Sequence, residues 1–137
     1  MPRAVLDPNV LVSALVSPVG ASARIVVALR DGAFELITSQ LLLGELSDVL
    51  RREKLRRYAT EAEVDEYVLL IERESVVVDD PEPGPPLAED PDDEYLIALA
   101  RAARVDALVS GDPHLLRLRD RIPVLTPREF LESIETP

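Results

Sequence analysis

The sequence predicts an α/β protein with three layers, a parallel sheet covered by helices on both sides. Three observations carry this reading. Short apolar runs alternate with segments of helical period along the chain. Most of those runs are apolar on both faces, as strands buried from two sides must be. Acidic residues fall at strand ends and helix starts, at Asp7, Asp93 and Asp112, where a parallel sheet gathers ligands at its carboxyl edge.

Each element has its own signal. Residues 3–7 read as a short buried strand. Residues 10–16 are an apolar run that pattern alone leaves open between strand and helix, ended by Pro18 and Gly20. Residues 22–30 predict a helix stopped by Gly32, and residues 34–38 the second strand. Ser39 is a weak cap for the helix over 41–50, because Leu42 stands where a capping box needs an acid. Thr60 is a stronger one, with Glu63 three residues on, and its helix extends to Glu74 with Val64, Tyr67, Val68 and Ile71 as the apolar stripe. Residues 75–78 are a β-branched third strand. The stretch 79–93 that follows holds five prolines and one glycine, which exclude regular structure through most of it. A helix is expected over 93–104, a fourth strand over 106–110, a short helical turn over 112–117 and a fifth strand over 124–126. Thr126, Pro127 and Glu129 open a last helix as cap, first helical residue and capping-box partner.

Length and composition bound the function. A chain of 137 residues predicts one domain over 1–137, and 47% apolar content supports a real core. There is no cysteine, which excludes disulfides, thiolate chemistry and zinc-finger sites. No apolar run reaches the roughly 18 residues of a membrane span, and RAVLD opens as a strand and not as a secretory segment, so a cytoplasmic protein is expected. The formal charge of −11 disfavours non-specific nucleic-acid binding. That charge is uneven: residues 51–57 carry five bases against one acid, and residues 79–94 carry eight acids and no base. Either run taken alone reads first as a solvated surface. Five aromatic residues argue against a base-stacking platform.

The acids point to a hard divalent cation, Mg²⁺ or Mn²⁺. Asp7 ends the first strand, either as a ligand or as the cap of the next turn. Asn9 is placed to hold Asp7, to touch the ion's water shell, or simply to turn the chain. Glu45 interrupts an apolar stripe expected from Leu41, Leu42, Leu46 and Val49. A carboxylate there needs a cation, which a metal, Arg24 or Arg52 can supply, or exposure at the helix margin. Asp93 has Ile97 and Ala100 on its helical face, which turns it inward over the sheet end, with Asp92 as runner-up. Asp112 follows the fourth strand, brought close by Gly111 or capping the turn at Pro113. Ser110 is placed to bind a phosphate oxygen or to orient Asp112. His114 reads as a surface residue. No G-x-G-x-x-G follows a strand and no G-x-x-x-x-G-K-[ST] occurs, so dinucleotide and P-loop sites lack support.

The fragments AVLDPNVLVSAL, ITSQLLLGEL, DPDDEYLIALA and ALVSGDPHLL, in that order, resemble a PIN-domain ribonuclease, closest to the PIN-family toxins of prokaryotic toxin–antitoxin systems. The resemblance covers almost the whole chain. It implies a five-stranded parallel sheet of order 3-2-1-4-5. It also implies that Asp7, Glu45, Asp93 and Asp112 are the metal-holding catalytic acids, and that Ser110 is the hydroxyl before the last of them. Pro8 stands where relatives commonly have threonine or serine. The family cleaves RNA with Mg²⁺ or Mn²⁺, leaving a 5′-phosphate and a 3′-hydroxyl. Its members are usually homodimers and are often held inactive by a co-encoded antitoxin protein.

The leading function is therefore metal-dependent hydrolysis of RNA phosphodiesters. Arg51, Arg52, Lys54, Arg56 and Arg57, close in sequence to Glu45, are the expected contacts to the RNA backbone, which read no bases. The helices around 24–29 and 67–71 are the expected apolar surfaces of a dimer. A haloacid-dehalogenase-like phosphatase would need a second aspartate where Asn9 stands. The remaining alternatives are a regulatory module of the same fold that binds RNA or protein without cutting, and a chain whose acidic surface binds a basic partner.

Overall fold

Ala4, Val5 and Leu6 have no exposed surface, which places β1 (Arg3–Leu6) at the centre of the sheet. The computed structural model describes residues 1–135, so the last two positions of the expected 1–137 domain lie outside the described residues. β1 pairs in parallel with β2 (Glu35–Thr38) on one side and with β4 (Ala107–Val109) on the other. β3 (Ser75–Val77) lies outside β2 and β5 (Val124–Leu125) outside β4. The order is 3-2-1-4-5, all parallel, as expected. The direction of winding reverses between β1 and β4, where open α/β sheets leave a crevice at their carboxyl ends.

Seven helices among the described residues connect these strands. The ambiguous run after β1 is α1 (Pro8–Val16): Asp7 caps it by accepting from the Asn9 N–H at 2.9 Å, and Pro8 needs no donor at the first helical position. α2 (Ala21–Arg30) ends at Gly32, whose φ of 78° is the left-handed value glycine tolerates best. α3 (Gln40–Leu50) is capped by Ser39 after all, with the Leu42 N–H 3.3 Å from its hydroxyl. α4 (Glu61–Arg73) begins with both bonds of the Thr60–Glu63 capping box. α5 (Glu94–Ala102) and α6 (Pro113–Leu116) precede and follow β4. α7 (Pro127–Glu135) packs on α2, β4 and β5, and its Phe130 meets Phe34 edge to face at 5.0 Å.

Several local expectations are corrected. The buried stripe of α3 is Leu42, Leu43, Leu46 and Leu50, while Leu41 is 55% exposed. The helix is thus turned so that Glu45 lies at its margin. α5 ends at Ala102, two residues early, and Arg104 leaves it with φ of 51°. β3 is an edge strand with Val76 and Val77 uncovered, so its β-branched composition does not signal burial from both faces. Part of the stripe over 67–71 turns inward, with Ile71 fully buried and the Tyr67 hydroxyl donating to the Leu11 carbonyl at 2.6 Å, while Leu69 stays exposed. No single helix among the described residues is long and apolar enough to cross a membrane.

Candidate active site

Asp7 is the buried centre of the site. The sheet ladder continues one step past β1, with the Asp7 N–H on the Val109 carbonyl at 2.9 Å, so its side chain emerges at the β1–β4 crevice. Both carboxylate oxygens are held. The Asn9 backbone N–H donates to Oδ1 at 2.9 Å and the Ser110 hydroxyl donates to Oδ2 at 2.8 Å. Ser110 also accepts from the Asp112 N–H at 3.0 Å, so one buried hydroxyl joins the acids that follow β1 and β4. Ser110 has no exposed surface, and its link to Asp112 is through the backbone N–H of that residue. Asn9 holds Asp7 through its backbone, and its exposed side chain faces the clefts. Gly111 has neither a positive φ nor a neighbour that a Cβ would meet, so the bond from Ser110, and not glycine freedom, sets Asp112 in place. Asp112 also caps α6 through the His114 N–H at 2.9 Å.

Glu45 and Asp93 approach from α3 and α5. Glu45 has neither Arg24 nor Arg52 as a hydrogen-bonded partner; Arg24 pairs with Glu135. The Tyr95 hydroxyl donates to Glu45 Oε2 at 2.7 Å and ties α5 to α3. The sequence reading missed Tyr95. Its signal is a tyrosine two residues past Asp93, in the first turn of a helix that must already face the site. Asp93 sits at the N-cap of α5, yet its side chain makes no capping bond. Asp90 caps the preceding 3₁₀ turn instead, accepting from the Asp92 N–H at 2.9 Å. Ile97 and Ala100 are buried, as the helical spacing required.

The acids sense one another. Burial raises the Asp7 pKa, the bonds from Asn9 and Ser110 oppose that rise, and the charge of Asp112 adds to it. Burial raises Glu45, opposed by the Tyr95 hydrogen bond; Asp7 and Asp92 raise it further and Arg52 lowers it. Asp93 is pushed up to about 6, first by burial and then by Asp7, Asp90, Asp112 and Glu45. Glu45 thus shares the edge with Asp7. Among the described residues no three acidic or histidine side chains close into a ready cation shell. The donor chemistry fits a hard divalent cation: it is all oxygen, and the acids crowd one another with Arg52 as the one cation among the described residues that opposes them at Glu45.

The basic run divides. An open cleft of about 920 Å³ beside α1 and the end of α3 is lined by Arg52, Lys54, Arg56 and Arg57, with Asn9 and Tyr58. Arg51 does not line it. Arg51 is bound to the exposed Asp65 and donates to the Ser47 hydroxyl at 3.1 Å. His114 is exposed and pairs with Glu89, as its surface reading required.

Known proteins share the fold that carries this site. The sequence model described as "PIN domain" matches residues 3–114. An uncharacterized protein of Methanocaldococcus jannaschii is 28% identical over 144 residues, covering 97% of this chain and 92% of that protein. Among solved structures, VapBC2 from Rickettsia felis, bound to a DNA fragment from their promoter, has a similar fold. The TM-score is 0.60 at 12% identity, over 90% of this chain and 98% of that one.

Proposed function

Since the chain belongs to the PIN-domain family, we propose that it is a divalent-metal-dependent ribonuclease and the toxin of a toxin–antitoxin pair. Asp7, Glu45, Asp93 and Asp112 would hold Mg²⁺ or Mn²⁺. When bound, the cation draws charge from the phosphoryl oxygens and acidifies the attacking water. The chain's own residues do the rest. Ser110 and the Asn9 N–H fix both oxygens of Asp7 and favour its charged form. Tyr95 orients Glu45. Arg52, Lys54 and Arg57 hold the RNA backbone beside the carboxylates, and Arg56, whose guanidinium is buried, adds positive charge from behind. Water oxygen attacks phosphorus in line and the bond to the 3′ oxygen breaks, leaving a 5′-phosphate and a 3′-hydroxyl.

The observation that carries this reading is the buried Ser110 hydroxyl that joins Asp7 to the Asp112 backbone at the β1–β4 crevice, with Glu45 held from α3 by Tyr95 of α5. The antitoxin partner is supported by the motif resemblance and by the fold shared with a VapBC assembly. A homodimer and a cytoplasmic location complete the proposal. The test is incubation of mixed-sequence RNA with Mn²⁺ or Mg²⁺, beside EDTA controls and the Asp7→Asn and Asp93→Asn variants. Wild type should cut and both variants should not, because each loses a charge that holds the cation. Equal cutting by wild type and Asp7→Asn defeats the nuclease reading. RNA binding without cutting by any of them favours the non-catalytic module.

A further inference from the structure

We propose that Tyr58 and Arg57 form a stacking platform for one unpaired nucleobase of the RNA, in the cleft that Asn9 joins to the carboxylates; this rests on the ribonuclease reading. Four of the five aromatic side chains are committed elsewhere. Phe34 and Phe130 pack together in the core, Tyr67 bonds to Leu11, and Tyr95 bonds to Glu45. Tyr58 is 41% exposed and faces the cleft. The Arg57 guanidinium carbon lies 4.8 Å from the centre of its ring, and Nη2 donates to the Tyr58 hydroxyl at 2.6 Å. The guanidinium thus lies over the ring as a cationic stack, to which a base adds as a further layer without regard to sequence.

The surroundings suit a nucleotide. Val12, Val16, Val49 and Leu55 supply apolar walls for a dehydrated base. The rim supplies charge for its phosphate through Arg52 and Lys54, in a protein of net charge −11. Arg56 adds charge beneath: Nη2 bonds to the Leu50 carbonyl, while Nε and Nη1 are buried without a partner. Asn9 borders this cleft and a second one of about 400 Å³ that Asp112 lines, so a strand seated on Tyr58 runs toward the acids. The small number of aromatic residues argued against a platform in the sequence, yet one base needs one ring.

Binding in EDTA separates this proposal from catalysis. A labelled single-stranded RNA, an abasic strand of equal length and an RNA duplex are titrated, by fluorescence anisotropy, with wild type, Tyr58→Phe and Tyr58→Ala. Wild type should prefer the base-bearing single strand. Tyr58→Ala should weaken that complex roughly 5- to 100-fold, the loss expected for one base–aromatic stack. It should leave the abasic strand and the duplex nearly unchanged, and Tyr58→Phe should retain most of the affinity. Equal binding of base-bearing and abasic strands by wild type overturns the platform whether or not any variant folds. So does RNA binding indifferent to Tyr58→Ala, and a Tyr58-dependent acidic peptide in that case assigns the cleft to a protein partner. RNA that binds and is cut without dependence on Tyr58 leaves the ribonuclease standing. No RNA binding by wild type overturns the platform, and the cutting assay with Mn²⁺ or Mg²⁺ decides the ribonuclease separately.

Discussion

Asp93 is a helix-capping position whose side chain does no capping, and that carries a measurable consequence. Its carboxyl is raised to about 6, by burial and then by four neighbouring acids. A raised carboxyl pKa means the folded state holds a proton that the unfolded state releases. Its stabilising contribution is therefore complete below the ordinary aspartate value of 3.8 and is lost as pH rises through about 6. In EDTA, wild type should lose on the order of 1 kcal/mol from this half-exposed group between about pH 4 and about pH 7. Asp93→Asn should flatten that slope, and thermal melts across the range read it. Manganese should raise the melting temperature of wild type more at pH above about 7 than below about 5, where protons compete for the same oxygens. A slope identical in both proteins counts against the crowded site.

At the scale of elements, the Tyr95–Glu45 bond joins α5 to α3 across the mouth of the site. A carboxylate on a helix margin is otherwise free to rotate toward solvent. Tyr95→Phe keeps the ring packed and removes only the donor, which should cost on the order of 1 kcal/mol in the metal-free fold. If Tyr95 positions Glu45 for the cation, the variant should also need several-fold more Mn²⁺ for the same thermal shift, and its kcat on RNA should fall with KM little changed. An unchanged Mn²⁺ requirement would leave the bond a purely structural tie. Much of this layer is legible from sequence. Thr60 with Glu63, and Pro127 after Thr126, announce their helices because caps are local, within four residues. The rotation of α3 is not legible, because Leu41 and Leu43 are equally apolar and only packing against α1 and α4 decides which is buried.

For the whole molecule, charge and apolar surface are segregated. The cationic cleft lies to one side of the acids, and the acidic proline-rich segment that leads to Asp93 is pinned at two points: Asp80 accepts from the Leu41 N–H at 3.1 Å, and Glu89 pairs with His114. Exposed Val27, Leu69, Val76 and Val77 remain on α2, α4 and the edge strand. Val27 and Leu69 belong to the helices around 24–29 and 67–71 expected at the proposed homodimer interface, and Val76 and Val77 add the edge strand. Sedimentation at micromolar concentration should give twice the 15.1 kDa chain mass, and a single 15.1 kDa species refutes the dimer. Replacing Val76 and Val77 with lysine should shift the equilibrium to monomer if the edge strand lies in that interface, since paired charges on an open edge block association.

The sequence by itself determined the strand–helix alternation, the order of the sheet through its resemblance, and the positions of Asp7, Glu45, Asp93 and Asp112 relative to elements. Those are local facts: a carboxylate at the end of a buried strand, or in the first turn of a helix, is written in adjacent residues. Tertiary structure alone decided the partners. Ser110 reaches Asp7 across 103 residues, Tyr95 reaches Glu45 across 50, and Arg51 is drawn off to Asp65. Hydrogen bonds and ion pairs depend on ångström-scale distances between side chains from different elements, and no periodicity within one element encodes them.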